Sequence, residues 1–489
     1  MKKIILLFLI IIPSFLLSQQ AVDFDKYFED KTLRIDYFHT GNDTMEIITI
    51  DKIYRYDTWA GNPEHCIDNF NNGKYYIKIY DQNSNKLIFS KGFNTIFGEY
   101  QTTNPAINGI KDTFHETVLI PCPKKPFFFV LESRDKKNIM HGIFSREIDP
   151  HMTGIIEEQP DTDVVVYPAL MNGDPHKKVD LAWIAEGYTQ EEYEIFKKDV
   201  DGLMKTLFST QPFKEFKDKF NIYGVFKPSF QSGTDQPRQN IYKNTAVNSS
   251  FNALNLRRYL LTEDNKSLKN IALNVPCDAI VVLVNHERYG GGGIYNFYAI
   301  STTHNSLSNN VFVHEFGHSF AGLADEYYTS SVAYNDFYPQ GVEPVEPNIT
   351  ALLNTDNLKW KKLVSPGIEI PTEWGKDAID SLQIKYSKMS AVMYSKIDSL
   401  TSAEAGKENI EEVRSKWRKK LDKIREEIEK IESKYSYLKK KVGAFEGAGY
   451  SARGLYRPEL DCIMFSNRTK RFCKVCQEAI KRIIFYYSE

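Results

Sequence analysis

The sequence has almost no net charge and lacks a membrane-spanning run beyond its first residues. Its 62 Lys and Arg residues nearly balance 64 Asp and Glu residues over 489 positions, which leaves a formal charge of -2. This balance gives no reason to expect nucleic acid or an anionic membrane as a partner. After the N-terminus, no uninterrupted apolar stretch is long enough to cross a bilayer. We therefore predict no nucleic-acid partner and no membrane span.

The sequence is also poor in cysteine. The cysteines are Cys66, Cys122, Cys277, Cys462, Cys473 and Cys476. An even number permits disulfides without fixing their pairing, and Cys66 with Cys122 is one candidate pair. Cys473 and Cys476 form a C-x-x-C motif, but the chain has no second such motif to complete a four-cysteine zinc site. We interpret this motif as structural, with Cys277 or Cys462 as a further member.

The first residues have the pattern of a secretory signal peptide. Met1, Lys2 and Lys3 form a short positive segment, residues 4–17 are apolar, and Ser18 is a small residue before the predicted cut. No cysteine lies at the cut, so a lipid anchor is not indicated. We predict that residues 1–18 are removed and that the mature protein is exported to the periplasm, the cell surface or the medium.

Residues 19–149 are predicted to form an all-β sandwich. Alternating or apolar segments bounded by turns indicate short strands, which we expect at residues 33–37, 76–80, 87–89, 118–120 and 127–131. The histidines of this part have no catalytic spacing, and we interpret them as surface or packing residues; they are His39, His65, His115 and His141.

Residues 150–489 are predicted to form an α/β domain with a mixed sheet. A polar, proline-containing connection over about residues 149–178 indicates the boundary. Apolar runs predict strands, and a capping box at Thr189 and helical periodicity predict helices. The expected strands are 179–185, 220–226 and 279–284, and the expected helices are 189–208 and 251–261. Strands that alternate with helices favour an α/β sheet.

Four consecutive glycines, residues 290–293, precede the apolar residues 294–300. This segment is either an edge strand that pairs with an extended peptide substrate or a flexible hairpin beside the sheet. It is not a phosphate-binding loop, because no lysine or G-x-G-x-x-G frame follows it.

Residues 407–441 are predicted to be a charged, coiled-coil-like helical insertion. Apolar residues recur alternately four and three positions apart, at Trp417, Leu421, Ile424, Ile428, Ile431, Tyr435 and Leu438. This apolar stripe contacts either a partner or the protein's own domain, and we favour the second.

The segment from His314 to His318 is an H-E-x-x-H motif. On a helix the two histidines lie one turn apart on the same face, so both imidazoles can reach one metal ion. Glu315 lies beside them, where it can act as a general base toward the attacking water. The motif therefore predicts a metal-dependent hydrolase in which zinc polarises the substrate and activates water.

A catalytic zinc usually has three protein ligands, and no histidine follows His318. A carboxylate is therefore expected as the third ligand. Asp325 follows Gly322, a helix-breaking residue, by three positions, as the third ligand does in the metzincin pattern. Asp325 is our first choice, Glu326 is the close rival, and Glu446 is a distant one.

Two further kinds of residue could complete such a site. Metzincins place a methionine turn beneath the zinc, and Met464 could supply it, with Met393 as a weaker candidate. Tyr450 or Tyr456 could donate a hydrogen bond to the oxyanion. Packing roles explain these methionines and tyrosines equally well.

Several segments resemble a family of bacterial zinc metallopeptidases named for an IgA-cleaving enzyme. They are HEFGHSFAGLADEYY, SGTDQP at residues 232–237, FEGAGYSARGLYRPELDCIM and FCKVCQEAI. The resemblance covers nearly the whole mature chain and implies a zincin-like endopeptidase preceded by a β-rich domain. It assigns the roles above to His314, Glu315 and His318, and it does not imply that IgA is the substrate. We expect residues 407–441 to depart from the family pattern, as an insertion before FEGAGY.

We therefore expect a secreted zinc endopeptidase that acts on proteins or peptides, with His314, His318 and Asp325 as ligands and Glu315 as the base. Two alternatives remain open: an adhesion module with a degenerate zincin domain, and a zinc amidase acting on a non-protein substrate. The intact Glu315 counts against the first. Nothing in the sequence indicates the oligomeric state.

Overall fold

The computed structural model describes residues 22–158, 161–328, 337–403 and 406–489. The predicted signal peptide, residues 1–18, lies outside the described residues. Within those ranges, no helix combines the length and the apolar character needed to cross a membrane.

The N-terminal region is all-β apart from three short helices. Its strands are β1 (Phe28–Gly41), β2 (Glu46–Tyr56), β3 (Tyr75–Asp81), β4 (Leu87–Phe93), β5 (Asp112–Pro123), β6 (Phe127–Arg134), β7 (Met140–Ile148) and β8 (Ile155–Glu157). The helices are α1 (Phe24–Tyr27), α2 (Ile96–Tyr100) and α3 (Asn104–Ile107). Two four-stranded sheets result, in the orders β5-β1-β2-β8 and β4-β3-β6-β7.

The two sheets share one apolar core, as the predicted sandwich requires. Leu33, Ile35 and Tyr37 of β1 belong to the same buried cluster as Ile77 of β3 and Phe129 of β6. Alternating side chains from two facing sheets form such a core. The all-β fold class predicted for this region is confirmed.

The chain crosses to the second region within the connection expected over about residues 149–178. This connection contains β8, which pairs with β2, and β9 (Val165–Leu170), which joins the second sheet. The crossover lies between these two strands.

The second region is built on a mixed six-stranded sheet of order β15-β16-β14-β10-β11-β9. Its strands are β9 (Val165–Leu170), β10 (Val179–Glu186), β11 (Phe220–Phe226), β14 (Ala279–Val284), β15 (Gly291–Ile294) and β16 (Tyr298–Thr302). The four inner strands are parallel, and both edge strands run antiparallel to their neighbours. Four smaller strands form two hairpins: β12 (Ser250–Phe251), β13 (Leu260–Leu261), β17 (Phe445–Ala448) and β18 (Ser451–Arg457).

Helices cover this sheet and set the position of the H-E-x-x-H motif. The helices of this region are α4 (Tyr193–Leu207), α5 (Asn265–Ala272), α6 (Ser308–Ala321), α7 (Lys376–Ser402), α8 (Lys407–Lys434) and α9 (Lys474–Ser488). Of these, α7 and α8 form the charged insertion and pack on each other rather than on the sheet. Buried residues of α4, α6 and α9 join one core cluster with one face of the sheet, and α5 lies in the cluster of the other face. The predicted α/β class is confirmed.

The predicted helix at residues 251–261 is wrong. The structure has β12, a short 3-10 turn at Ala253–Asn255 and β13 in its place. Asn252, Leu254 and Asn255 adopt left-handed backbone angles, with φ of 71°, 48° and 63°. Single left-handed residues interrupt a right-handed helix, and asparagine adopts this conformation more readily than most residues.

The charged insertion is an antiparallel pair of helices, and its first helix, α7, has no counterpart among the sequence predictions. Leu421 and Trp417 of α8 pack with Met393 and Ile397 of α7 in a small cluster at the distal end. At the base, Leu438 packs with Phe445 and residues of the main body. The apolar stripe of α8 therefore contacts the protein's own chain.

Candidate functional site

Helix α6 presents the two histidines of the motif to a common point. Phe312, Phe316 and Phe320 are buried in the core on another face of the helix, which fixes its rotation. The Nε2 atoms of His314 and His318 lie 3.1 Å apart. The spacing of one helical turn thus produces the convergence that the sequence predicts.

A tight turn after α6 brings Asp325 back to the histidines. The helix ends at Gly322, whose φ of 58° is left-handed, and the Gly322 amide donates to the carbonyl of His318 at 2.9 Å. Asp325 Oδ1 then lies 3.1 Å from His314 Nε2 and 3.3 Å from His318 Nε2. The structure places our first-choice carboxylate beside both imidazoles.

Backbone carbonyl groups hold the other nitrogen of each imidazole. His314 Nδ1 donates to the carbonyl of Ile463 at 3.0 Å, and His318 Nδ1 donates to that of Leu323 at 2.5 Å. Each Nδ1 therefore carries a hydrogen, and the lone pair of each neutral ring lies on Nε2. Carbonyl partners of this kind orient metal-binding histidines in many proteins.

This arrangement fits a divalent cation better than it fits protons. Two Nε2 atoms 3.1 Å apart cannot both direct a hydrogen to the point between them. Asp325 Oδ1 is buried and receives no well-aligned hydrogen bond from any described residue. Nitrogen and oxygen ligands around a tetrahedral cation lie roughly 3.3 Å apart, close to the three separations seen here.

The charges of these groups reinforce one another. Burial lowers the pKa of His314, but the close approach of the Asp325 carboxylate to Nε2 and the negative charges of Glu315 and Asp325 outweigh it and raise that pKa to about 9. Burial raises the pKa of Asp325, but the two histidines outweigh it and hold that pKa well below its usual range. The pocket therefore keeps Asp325 ionised and favours positive charge beside it.

Glu315 lies on the side of α6 that faces β15. A Cβ atom at Gly291 would be 3.0 Å from Glu315 Oε1, and one at Gly293 would be 2.3 Å from the Glu315 carbonyl oxygen. Glycine at these two positions lets the strand lie against the helix. Burial is the largest influence on the Glu315 carboxyl and raises its pKa, which brings a carboxylate closer to the range of a general base.

The two rival carboxylates point elsewhere. Glu326 is fully buried and contacts the sulfur atoms of Cys473 and Cys476 at 3.7 and 3.2 Å. Glu446 lies on β17 and binds Arg453 at 2.7 Å. Of the three carboxylates considered from the sequence, Asp325 is the one that the structure brings to the histidines.

Met464 lies directly beneath the active-site helix. A Cβ atom on Gly317, the residue before His318, would be 3.0 Å from Met464 Sδ. The Met464 carbonyl accepts a hydrogen bond from the Glu326 amide at 2.9 Å. Met393 instead belongs to the distal cluster of the helical insertion. The methionine expected below the site is therefore Met464.

The two candidate tyrosines differ in position. Tyr450 lines the cleft and donates a hydrogen bond to Asp325 Oδ2. Tyr456 lies on β18, where its backbone pairs with Thr350. Tyr450 thus contacts the candidate ligand rather than the position expected for an oxyanion.

The site opens into a cleft of about 370 Å³. Aromatic and charged side chains line it, including Arg258, Tyr259, Tyr289, Tyr327, Phe337 and Tyr338. Asn72, Asn94 and Glu99 of the N-terminal region also line the cleft. Asn72 Nδ2 donates to the carbonyl of Gly322 at 3.3 Å, so the β-sandwich touches the turn that carries Asp325.

Sequence reasoning missed several parts of this site. The carbonyl groups of Ile463 and Leu323 have no side-chain signature, so no motif could reveal them. Arg258 and Asn72 come from distant segments without any metal-binding pattern. The glycine run was visible, and its close approach to α6 is a reason for glycine at Gly291 and Gly293.

Comparisons with known proteins place the whole arrangement in a family. A family model described as IgA Peptidase M64 matches residues 168–484, which is more than half of the chain. A second model, described as Peptidase M64 N-terminus, matches residues 23–145. A search of curated proteins found no match. The motif, the fold and these two matches together show that the chain is a peptidase of the IgA peptidase M64 family.

Proposed function

We propose that this peptidase is an exported zinc endopeptidase that cleaves protein substrates. Its proposed active-site residues are His314, Glu315, His318 and Asp325. The observation that supports it is the convergence of two imidazole nitrogens and one carboxylate oxygen within 3.3 Å of one another. Zinc favours such nitrogen and oxygen ligands, and catalytic zinc sites use three of them with a fourth position open. A zinc ion there would polarise the scissile carbonyl and make water a better nucleophile near neutral pH.

The residues of the chain divide the remaining work. His314, His318 and Asp325 hold the metal, and the carbonyls of Ile463 and Leu323 keep the imidazoles in the correct tautomer. Glu315 accepts a proton from the attacking water and delivers it to the leaving amine. Arg258 lines the cleft, and its positive charge interacts with the negative charges of Glu315 and Asp325.

The cleft suits an extended polypeptide. Edge strand β15 borders it with Gly291 and Gly293, and aromatic side chains cover other parts of its wall. An extended peptide can add to a sheet edge through backbone hydrogen bonds. Tyr259 already forms a backbone bridge with Gly291, so such pairing would use the remaining length of β15.

The first test is the Glu315→Gln variant. Purified protein should contain zinc and cleave a panel of protein substrates in a chelator-sensitive way. Glu315→Gln removes the base but no ligand, so it should keep its zinc and lose at least about 10²-fold in rate. Full activity in this variant would rule out the proposed base. Zinc binding without cleavage of any protein by the unmodified chain would favour a binding module or an amidase.

The second test separates the candidate ligands. Asp325→Ala should lose zinc from this site, whereas Glu446→Ala, a matched carboxylate outside it, should keep zinc. Metal analysis of both variants after dialysis decides the assignment. Retained catalytic zinc in Asp325→Ala would remove Asp325 from the ligand set.

Export is the part of the proposal that rests on the sequence alone. Residues 1–18 have the pattern of a signal peptide. N-terminal sequencing of protein recovered outside the cytoplasm should begin near Gln19. Recovery only of cytoplasmic protein that begins at Met1 would contradict export.

A further inference from the structure

A second cluster of metal-binding side chains lies within the core of the peptidase region. One ligand atom from each of Glu326, Cys462, Cys473 and Cys476 lies within 4.8 Å of every other, and all four residues are buried. All of the cysteines are free thiols in the structure. These four residues, which we call the cysteine cluster, do not take part in the proposed catalytic chemistry.

Two of three separations within the cysteine cluster agree with a tetrahedral site, and the third is about 0.4 Å shorter. Cys462 Sγ and Cys476 Sγ lie 3.8 Å apart, and Glu326 Oε1 lies 3.2 Å from Cys476 Sγ and 3.7 Å from Cys473 Sγ. Around tetrahedral zinc, bond lengths of about 2.3 Å to sulfur and 2.1 Å to oxygen place two sulfurs roughly 3.8 Å apart and a sulfur and an oxygen roughly 3.6 Å apart.

Backbone amide groups and a positive charge surround the cluster. The Cys473 amide donates to Cys462 Sγ at 3.1 Å, and the Cys476 amide donates to Cys473 Sγ at 3.4 Å. Cys473 is the N-cap of α9, where the helix dipole stabilises negative charge. The buried Arg457 supplies a positive charge that interacts with Glu326. A cation bound at this point would offset the burial of charge on these groups.

One atom in the cluster still lacks a partner. Glu326 is fully buried, and its Oε2 has no hydrogen-bond partner among the described residues, while Asn348 donates to Oε1 at 3.1 Å. Burial of a carboxylate without adequate partners is unfavourable, whereas coordination to a metal stabilises it.

We propose that Glu326, Cys462, Cys473 and Cys476 form a second, structural zinc site, closed to solvent and distinct from the candidate catalytic site. Thiolate-rich tetrahedral sites select zinc among the common divalent ions of cells. Four protein ligands leave no open position for substrate, as in other structural zinc sites. The proposal goes beyond the proposed function and does not depend on it.

The site has a direct structural consequence for the catalytic residues. Glu326 is the neighbour of Asp325, and Cys462 is the neighbour of Ile463, whose carbonyl accepts the hydrogen bond from His314. A metal bound by Glu326 and Cys462 therefore links the turn that carries the third ligand to the loop that orients the first histidine. These four cluster residues act as positioning residues for the catalytic site.

The test is a zinc count combined with X-ray absorption on the full mature protein, purified under reducing conditions. The unmodified protein should contain two zinc ions per chain. The His318→Ala variant, in which the cysteine cluster is untouched, should keep one, and its absorption spectrum should show sulfur ligands at about 2.3 Å. Cys476→Ser should lose one zinc, and Cys277→Ser, a matched change outside the cluster, should keep both.

Because Cys476→Ser can also fail to fold, the decisive variant is His318→Ala. No zinc in that variant, or zinc with only nitrogen and oxygen ligands, would overturn the proposal. So would a disulfide between any two of Cys462, Cys473 and Cys476 in the unreduced protein, detected by peptide mass spectrometry. Failure of the proposed function looks different: a thiolate-bound zinc would still be present in a protein that cleaves nothing.

Discussion

The hydroxyl group of Tyr450 donates a hydrogen bond to Asp325 Oδ2, the oxygen opposite the one that faces His314 and His318. Tyr450 lies in the turn between β17 and β18. Its amide donates a hydrogen bond to the carbonyl of Tyr327 at 3.0 Å, which holds the tyrosine beside the Asp325 carboxylate. The partner of a metal ligand fixes its rotamer and its basicity, so this contact is expected to control how Asp325 binds metal.

Replacement of Tyr450 by phenylalanine should therefore weaken zinc binding at the catalytic site by about 10- to 100-fold, the range for loss of such a partner. Tyr456→Phe is the matched control, because Tyr456 lies on β18 with its backbone paired to Thr350. Competition titration with a zinc indicator measures both. Equal affinities in the two variants would show that Tyr450 has no such role.

The close contact between β15 and α6 gives a second prediction. A Cβ atom at Gly293 would lie 2.3 Å from the Glu315 carbonyl oxygen and 2.9 Å from His318 Cβ. Gly293→Ala should therefore displace the strand or the helix, lower activity and destabilise the fold by about 1–3 kcal/mol, as overpacking does. The measurements are urea unfolding and peptidase rate.

Gly202→Ala is the control for this substitution. Gly202 lies within α4, where a Cβ atom would meet nothing within 4 Å. Alanine there should stabilise the protein by roughly 0.5–1 kcal/mol through its higher helix propensity. Wild-type activity and stability in Gly293→Ala would contradict the close packing of β15 on the active-site helix.

A buried histidine in the β-sandwich predicts a pH dependence of stability. His39 Nδ1 lies 3.0 Å from Glu116 Oε2, and Nε2 lies 3.2 Å from Glu46 Oε2. Burial lowers the pKa of His39, but the hydrogen bonds and charges of the two carboxylates outweigh it and raise that pKa. The folded pKa thus exceeds the unfolded value of about 6.5.

The stabilisation by His39 is fully present below the unfolded pKa and is lost as the pH rises through the folded value. Burial raises the pKa of Glu46, but His39 outweighs it, so that pKa is lowered and its contribution is lost only at acid pH. The free energy of unfolding of the wild type minus that of His39→Gln should therefore fall by on the order of 1 kcal/mol between about pH 6 and pH 9. Urea unfolding at both pH values measures it, and a constant difference would contradict the ion pairs.

The helical insertion gives the last prediction. Its distal cluster, formed by Met393, Ile397 and Leu421, is separate from the basal cluster that contains Leu438 and Phe445. Replacement of residues 386–425 by a short Gly/Ser linker should keep the basal cluster, and with it the fold, the zinc content and the cleavage of a small peptide. Replacement of residues 407–441 should destabilise the protein, because it removes Leu438. Loss of zinc on replacement of residues 386–425 would place the distal part in the catalytic core.

The strands and the helix that were predicted correctly each have a recognisable residue pattern within a short stretch of sequence. Strands β10 and β11 are largely apolar and β14 is wholly apolar, and the histidine spacing on α6 needs only helical geometry. Helix α7 escaped prediction because it is mostly exposed, with Lys376, Ile379, Met393 and Ile397 as its buried residues. The stability of α7 depends on packing against α8, a separate helix. A local sequence pattern does not reveal such a contact between two helices.

The site shows the same division between local and distant information. Asp325 and Glu326 are adjacent, and the backbone angles of the turn after Gly322 decide which of them faces the histidines. No property of the two side chains distinguishes them in advance. Cys462 approaches Cys473 and Cys476 through the tertiary fold, so the C-x-x-C motif alone could not reveal the fourth residue of its cluster, Glu326.

Asn72 of the β-sandwich contacts Gly322 and lines the cleft, so the β-sandwich forms part of the cleft wall. One wall of the cleft is encoded in residues 23–145 and the catalytic groups in residues 168–484, so shape and chemistry can change separately during evolution. Substitutions around Asn72, Asn94 and Glu99 can alter which substrates enter without changing a residue of the proposed catalytic site. Relatives with identical catalytic residues can therefore differ in substrate specificity.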